Sequence, residues 1–90
     1  MHAVTITFDR GRETDASTRT FEVVGNVVRA TEDAIIRILN KEKRAINKWL
    51  LFGRVNMNVC FQETGEVIAT GWYDYNAFSG HGEYKFQMER

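Results

Sequence analysis

Residues 31–52 read TEDAIIRILNKEKRAINKWLLF, and this segment sets the fold class because it carries the helical periodicity of the chain. Thr31 is a suitable N-cap, and the two acidic residues after it favour the positive end of a helix dipole. At about 100° per residue, the apolar side chains fall within an arc of about 120°. They are Ile35, Ile38, Leu39, Ile46, Trp49 and Leu50. Gly53 is typical of a residue that ends a helix, so we predict one amphipathic helix from Thr31 to Phe52.

The segments on both sides of this helix alternate between polar and apolar residues, which is typical of half-buried β-strands. The predicted strands are residues 4–8 and 18–24 before the helix, and residues 55–62, 67–75 and 83–89 after it. Polar loops separate them at residues 9–17, 63–65 and 76–82, and Gly25 and Asn26 end the second strand. The predicted order is β-β-α-β-β-β. It favours an α+β fold in which an antiparallel sheet of four to five strands carries one helix on one face.

The length and composition predict one ordinary globular domain that spans residues 1–90. Hydrophobic residues make up 43% and charged residues 27% of the 90 positions, which excludes bulk disorder. Twelve basic and twelve acidic side chains give a net charge of zero, so a globally basic polyanion binder is excluded.

The single cysteine, Cys60, cannot form an intramolecular disulfide. The longest apolar run is Trp49–Phe52, far short of a membrane span, and we predict a cytoplasmic protein without membrane association.

The zero net charge is a cancellation between segments. Residues 29–54 hold seven basic and three acidic side chains, a net charge of +4, whereas residues 1–28 and 55–90 carry −1 and −3.

Four of the cations fall within an arc of about 60° on the helix, opposite its apolar side. We call them the basic stripe: Arg37, Lys41, Arg44 and Lys48. Only Asp33 is placed to pair with one of them, Arg37. The stripe is either an anion-binding face, for phosphates or an acidic protein, or the ordinary solvated face of a surface helix.

Glu42 lies near the middle of the apolar arc, where an unpaired carboxylate is unfavourable. Three explanations are open. The helix bends or breaks near Asn40 and turns Glu42 outward, Glu42 reaches solvent or pairs with a cation such as Arg54, or Glu42 belongs to a functional site.

Aromatic residues crowd the last third of the chain, and the predicted hairpin at residues 63–65 assigns them to faces. If Gly65 takes the left-handed position of that loop, Val67 and Tyr73 face the helix. Ile68 and Trp72 then face the opposite side. Trp72 is either an exposed interaction residue or is covered by the loop at residues 76–82. Phe78, within that loop, is either a contact residue or a plug for the edge of the core.

No catalytic or metal-binding pattern rises above chance. Ser79 and His81 have no placed carboxylate beside them, and two histidines and one cysteine do not make a zinc site. Glycine-rich phosphate loops are absent. We therefore predict a protein that is not an enzyme and needs no metal or cofactor.

The size and the β-β-α-β-β-β organisation resemble some anti-CRISPR proteins, small accessory proteins encoded by phages and mobile elements. The resemblance covers the whole chain as architecture and carries no motif. It implies a stoichiometric inhibitor that binds a protein complex of the host and occludes a functional surface. Two surfaces are open for that role: the basic stripe, which would meet an acidic partner, or acidic strand residues that face a nucleic-acid groove of the target. The acidic residues are Glu63, Glu66, Asp74 and Glu83.

Two other interpretations accompany this one. The basic stripe and the neighbouring aromatic residues suit a nucleic-acid-binding module, although the acidic strands would repel nucleic acid. A homodimer is also open, because an uncovered face or edge of the sheet can pair with a second copy.

Overall fold

The computed structural model describes residues 1–9 and 20–89. In these ranges the chain forms β1 (His2–Asp9), β2 (Phe21–Val27), α1 (Glu32–Leu50), β3 (Phe52–Phe61), β4 (Val67–Asn76) and β5 (His81–Met88). The predicted order of elements is confirmed. The predicted loop at residues 9–17 and the start of the predicted second strand at residue 18 lie outside the described residues, except for Asp9, which ends β1.

The strands form one five-stranded sheet in the order β2-β1-β3-β4-β5, and every neighbouring pair is antiparallel. Since α1 lies between β2 and β3 in sequence, the fold is α+β, as predicted. The alternating residues of each strand separate into an inner face, which packs against α1, and an outer face. Among the described residues no second layer covers the outer face.

The core lies between α1 and the inner face. Its fully buried side chains come from the central strands and the helix, and they include Val4, Ile6, Phe8, Ile35, Leu39, Ile46, Val59 and Tyr73. The helix begins as predicted, because the Thr31 side-chain oxygen accepts a hydrogen bond from the Ala34 N–H at 3.2 Å. No polar or charged side chain of the described residues is buried in this core, apart from the Tyr73 ring with its hydroxyl.

The close approach of α1 to the sheet depends on a glycine. A Cβ atom at Gly25 would lie 2.6 Å from Ile38 Cδ1, which is too close for two carbon atoms. Gly25 and Asn26 were predicted to end the second strand, and this prediction is wrong, because β2 continues to Val27. The missing side chain of Gly25 serves packing against the helix rather than a turn.

The helix ends earlier than predicted. Leu50 is its last residue and β3 begins at Phe52, so Leu51 alone connects them. Leu51 has a φ of 67°, which is uncommon for a residue with a side chain, and its N–H donates to the Asn47 carbonyl at 2.9 Å. Gly53 has a φ of 111° but lies within β3, so the prediction that it stops the helix is wrong.

The β3–β4 hairpin is also longer than predicted. Gly65 takes a left-handed φ of 75°, as expected, but the connection runs from residue 62 to residue 66. The pairing then shifts between Val59 and Cys60, so that Ile68 is an extra residue in β4. As a result Ile68 is buried in the core and Val67 is exposed, the reverse of the prediction. Beyond this bulge, Tyr73 and Trp72 lie on the predicted faces.

Glu42 is half-buried on an uninterrupted helix, so no break at Asn40 turns it outward. It lines a shallow cleft between α1 and β2, with Ile38 and Lys41. Arg54, its suggested partner, pairs with Asp74 instead.

A hydrogen bond between two side chains fixes the helix on the sheet. The Tyr73 hydroxyl donates to the Asn47 Oδ1 atom at 2.7 Å, and the Tyr73 ring is 1% exposed. The ring also lies edge-on to Phe8 and is stacked with Tyr84 at centroid distances of 5.6 and 5.9 Å. Burial, with smaller contributions from Tyr84 and Tyr75, raises the pKa of Tyr73 to about 12.

The variant Tyr73→Phe removes this hydroxyl, and we expect it to lower the free energy of unfolding by about 1 kcal/mol at neutral pH. The raised pKa of Tyr73 means that the folded protein holds the phenolic proton more tightly than the unfolded chain does. This contribution is complete below the ordinary pKa of 10.0 and is lost as the pH rises towards about 12. Urea unfolding across this range should show a smaller decline for the variant, and equal declines would contradict the assignment. Burial also raises the pKa of Tyr84, which leaves a residual decline.

Candidate partner-binding surfaces

The basic stripe lies on the side of α1 that faces away from the sheet. Its four side chains are all exposed. The pair anticipated between Asp33 and Arg37 is not formed within 4.0 Å, and the single ion pair among the described residues lies elsewhere. The stripe is therefore an open cationic surface that can attract an anionic partner.

The acidic residues predicted to form one surface are separated. Glu63 and Glu66 lie in the β3–β4 connection, whereas Asp74 lies opposite Glu83 near the other end of the sheet. Eight residues of extended chain place Glu66 and Asp74 about 26 Å apart. Asp74 is also partly neutralised, since the Arg54 Nε atom lies 3.3 Å from its Oδ2 atom. These carboxylates cannot act as one patch.

Trp72 lies on the outer face of the sheet, as predicted, and it is half-buried. The Arg54 guanidinium lies 3.9 Å above the centre of the Trp72 ring. Asp74 holds that guanidinium through the ion pair at 3.3 Å. The indole is therefore covered by a cation–π contact that a partner can displace only by breaking the pair.

Three exposed apolar residues lie near the end of α1 and in the β4–β5 turn, and we call them the apolar tip: Leu51, Phe52 and Phe78. Leu51 is 55%, Phe52 59% and Phe78 90% exposed. The rings of Phe52 and Phe78 lie 6.0 Å apart between centroids, so these two aromatic side chains form one contiguous surface. Phe78 was predicted as either a contact residue or a plug for the core edge, and its exposure shows that it is not a plug.

Hydrogen bonds hold the tip in place. The Ala77 N–H donates to the Leu51 carbonyl at 2.8 Å and joins the β4–β5 turn to the end of α1. The Phe78 N–H donates to the Asn76 Oδ1 atom at 2.9 Å, and the Gly80 N–H donates to the Asn76 carbonyl at 2.8 Å. The aromatic side chain of Phe78 is thus presented by an ordered turn.

Sequence reasoning missed Leu51 and Phe52 because it placed both in the helix. In a helix that continued to Phe52, both residues would lie outside the apolar arc, and neither would be expected to lie beside Phe78. The one available signal was Gly53, whose early position suggested a helix end close by. The hydrogen bond from Ala77, which fixes where the helix ends, has no signature in the sequence.

Ser79 and His81, which the sequence offered as a weak catalytic pair, lie at the β4–β5 turn. Ser79 Oγ accepts the backbone N–H of His81 at 3.2 Å, so the hydroxyl stabilises the turn. Within residues 1–9 and 20–89, no three histidine, cysteine or acidic side chains lie close enough together to bind a metal ion. In the same ranges, no helix is both long enough and apolar enough to cross a bilayer.

Comparison of the chain with protein-family models, curated proteins and solved structures found no match. Its surfaces are therefore the basis for inferring a function. Of these, the apolar tip exposes two aromatic side chains to water, which is unfavourable.

The variant Arg54→Ala should uncover Trp72 without unfolding the protein. In a Trp49→Phe background, where Trp72 is the only indole, we expect acrylamide to quench its fluorescence more strongly. The free energy of unfolding should change by at most about 1 kcal/mol, because the Arg54 side chain is exposed. Arg44→Ala, which removes a guanidinium on the opposite side of the molecule, is the control. Unchanged quenching in Arg54→Ala would show that Arg54 does not cover the ring.

Proposed function

We propose that this chain is a small, non-enzymatic protein-binding module that inhibits a host complex by occluding one of its functional surfaces. The observation that carries the proposal is the exposed, contiguous apolar tip. Contiguous apolar patches on small proteins are typical of interaction sites, and aromatic side chains dominate the binding energy of protein interfaces.

The way the tip is held supports binding without a large entropic penalty. Phe78 belongs to a turn that Asn76 fixes at two backbone positions, and the Ala77–Leu51 hydrogen bond ties this turn to the helix end. A side chain that is already ordered loses less conformational freedom when it enters a pocket. The tip therefore suits insertion into an apolar pocket of a partner.

Charge near the tip indicates the rim of that pocket. Lys48 lies in the last turn of α1, three residues before Leu51, and the rest of the basic stripe extends from it along the helix. A partner with acidic side chains on one side of an apolar pocket would match both features. Such charges accelerate encounter and orient the two surfaces, while the aromatic rings supply affinity.

Occlusion is the mode of action that the resemblance to anti-CRISPR proteins implies. A compact domain with a pre-ordered tip has no need of chemistry to block a site, since occupying the pocket is sufficient. The target would then be a protein complex of a host cell whose function needs that pocket empty.

The double variant Phe52→Ser/Phe78→Ser tests the proposal. A partner isolated with the wild-type chain from host extract is purified and titrated against both proteins by calorimetry. Two interface aromatics that each contribute about 2 kcal/mol contribute about 4 kcal/mol together, so we expect the affinity to fall about 1,000-fold. The free energy of unfolding should remain within about 0.5 kcal/mol of the wild type, because both rings are exposed.

The matched control is Val28→Ser, which removes an apolar side chain that is 72% exposed in the β2–α1 connection. Its affinity should equal that of the wild type. An affinity that survives in the double variant would reject the tip as the binding surface. If Val28→Ser loses as much affinity as the double variant, the loss reflects the general polarity of the surface and not the apolar tip.

A second candidate function is nucleic-acid binding through the basic stripe. The observation that favours it is the exposure of four cations with no acidic partner within 4.0 Å among the described residues. The outer face, with Asp74 and Glu83, disfavours a nucleic acid on that side. Contact would therefore be limited to the helix face.

Charge reversal of the stripe to glutamate at positions 37, 41, 44 and 48 tests this candidate. On this candidate, the wild type shifts mixed DNA or RNA in a gel, and the shift weakens steeply between low and high salt. The reversed variant should give no shift, whereas Lys43→Glu, a cation outside the stripe, should retain it. A wild type that shifts neither nucleic acid rejects the candidate.

A further inference from the structure

The edge of the sheet at β5 is open. In the described residues, β5 pairs with β4 on one side and with no strand on the other. An open edge presents unpaired N–H and C=O groups that can bond to another strand. Which residues present them follows from the hydrogen bonds to β4.

Residues of an antiparallel strand alternate between bonding to one neighbour and to the other. The Glu89 N–H donates to the Ile68 carbonyl at 3.0 Å, in the register that sets Ala69 opposite Met88. The odd-numbered residues of β5 therefore bond to β4. The even-numbered residues direct their backbone N–H and C=O groups to the open edge: Gly82, Tyr84, Phe86 and Met88.

A second copy can use these groups in an antiparallel, two-fold pairing. The charges of β5 distinguish the registers centred near the middle of the strand. Centring on Glu83 sets two glutamates opposite each other, and centring on Lys85 sets two lysines opposite each other. Centring on Tyr84 sets Glu83 opposite Lys85 of the second copy, twice by symmetry. Glu83 and Lys85 are both exposed on the outer face, and opposite charges at directly paired positions stabilise a sheet.

The inner face of β5 is complementary in the same register. Tyr84 meets its own copy across the axis, and Phe86 lies opposite Gly82, which has no side chain to obstruct the ring. Tyr84, Phe86 and Met88 are only half-buried in one chain. Tyr84 is already stacked with Tyr73 and Phe86, at centroid distances of 5.9 and 6.3 Å. Pairing extends this aromatic row across the axis and removes these side chains from water.

We propose that two copies of this chain pair through β5, centred on Tyr84, to form a dimer with one continuous ten-stranded sheet. Six backbone hydrogen bonds, from Tyr84, Gly82 and Phe86 of both copies, would join the edges. The two-fold axis is perpendicular to the sheet, so both α1 helices lie on the same side. The dimer needs no other partner, and it is measured on the purified protein alone.

Sedimentation equilibrium should give twice the monomer mass of 10.4 kDa. Glu83→Lys and Lys85→Glu each place like charges opposite each other, and we expect each to raise the dimer dissociation constant at least about tenfold. The double variant Glu83→Lys/Lys85→Glu restores opposite charges and should return the constant to within about threefold of the wild type. Amide exchange should show Tyr84 and Phe86 protected in the dimer and exposed in a dissociated variant, while Lys85 and Gln87 stay protected in both.

Glu22→Lys, the same charge change on the β2 edge, is the matched control and should leave the dimer intact. Circular dichroism and urea unfolding verify that each variant is folded. The proposal is overturned by a mass of 10.4 kDa at all concentrations, or by a dimer that the single reversals do not weaken. A dimer that Glu22→Lys dissociates would place the contact at β2 and also overturn it. None of these outcomes depends on the apolar tip, so they leave the proposed function to its own test.

Discussion

One helix must cover one face of a five-stranded sheet, and its width limits how much of that face it can bury. The axes of β2 and β5 lie about 19 Å apart at the spacing of paired strands, whereas a helix with its side chains is about 10–12 Å wide. The central strands β1 and β3 consequently supply fully buried residues such as Ile6 and Val59. The inner-face residues of β5 are only half-buried. On the β2 side, Ile38 of the helix occupies the space that a side chain at Gly25 would fill.

The uncovered surfaces are stabilised in different ways. On the outer face, the Arg54–Asp74 pair places a guanidinium over Trp72, so that a large apolar ring is shielded by a group that water solvates. At the apolar tip, the rings of Phe52 and Phe78 are neighbours, yet Phe52 remains 59% and Phe78 90% exposed. This contrast is why the tip, rather than the expected Trp72, is the stronger basis for partner binding. Arg54 shields Trp72, whereas Phe78 has no such shield and is exposed in an ordered turn.

Periodicity in the sequence was sufficient to predict the order of elements, the N-cap at Thr31 and the faces of Tyr73 and Trp72, because these depend on local spacing. The errors arise where a distant contact overrides the local pattern. Leu51 leaves the helix because the turn at Ala77 bonds to its carbonyl. Ile68 enters the core because a bulge changes the register by one residue. The positions of the basic stripe were predictable, whereas the apolar tip was not, since it joins residues that are 26 positions apart.

Phe78 of the apolar tip and the open edge of β5 lie on the same β4–β5 hairpin, and this has a consequence for affinity. In a dimer centred on Tyr84, the two copies of β5 run in opposite directions, so the two turns lie at opposite ends of the paired strands. About ten residues of extended strand, or about 33 Å, separate the two turns.

In such a dimer, both basic stripes lie on one side of the sheet. A target with repeated subunits would meet two tips and two stripes at a fixed spacing, and the second contact would form at a high effective concentration. A single exposed phenylalanine pair on a 90-residue chain is a small surface. Pairing through β5 doubles that surface without enlarging the chain.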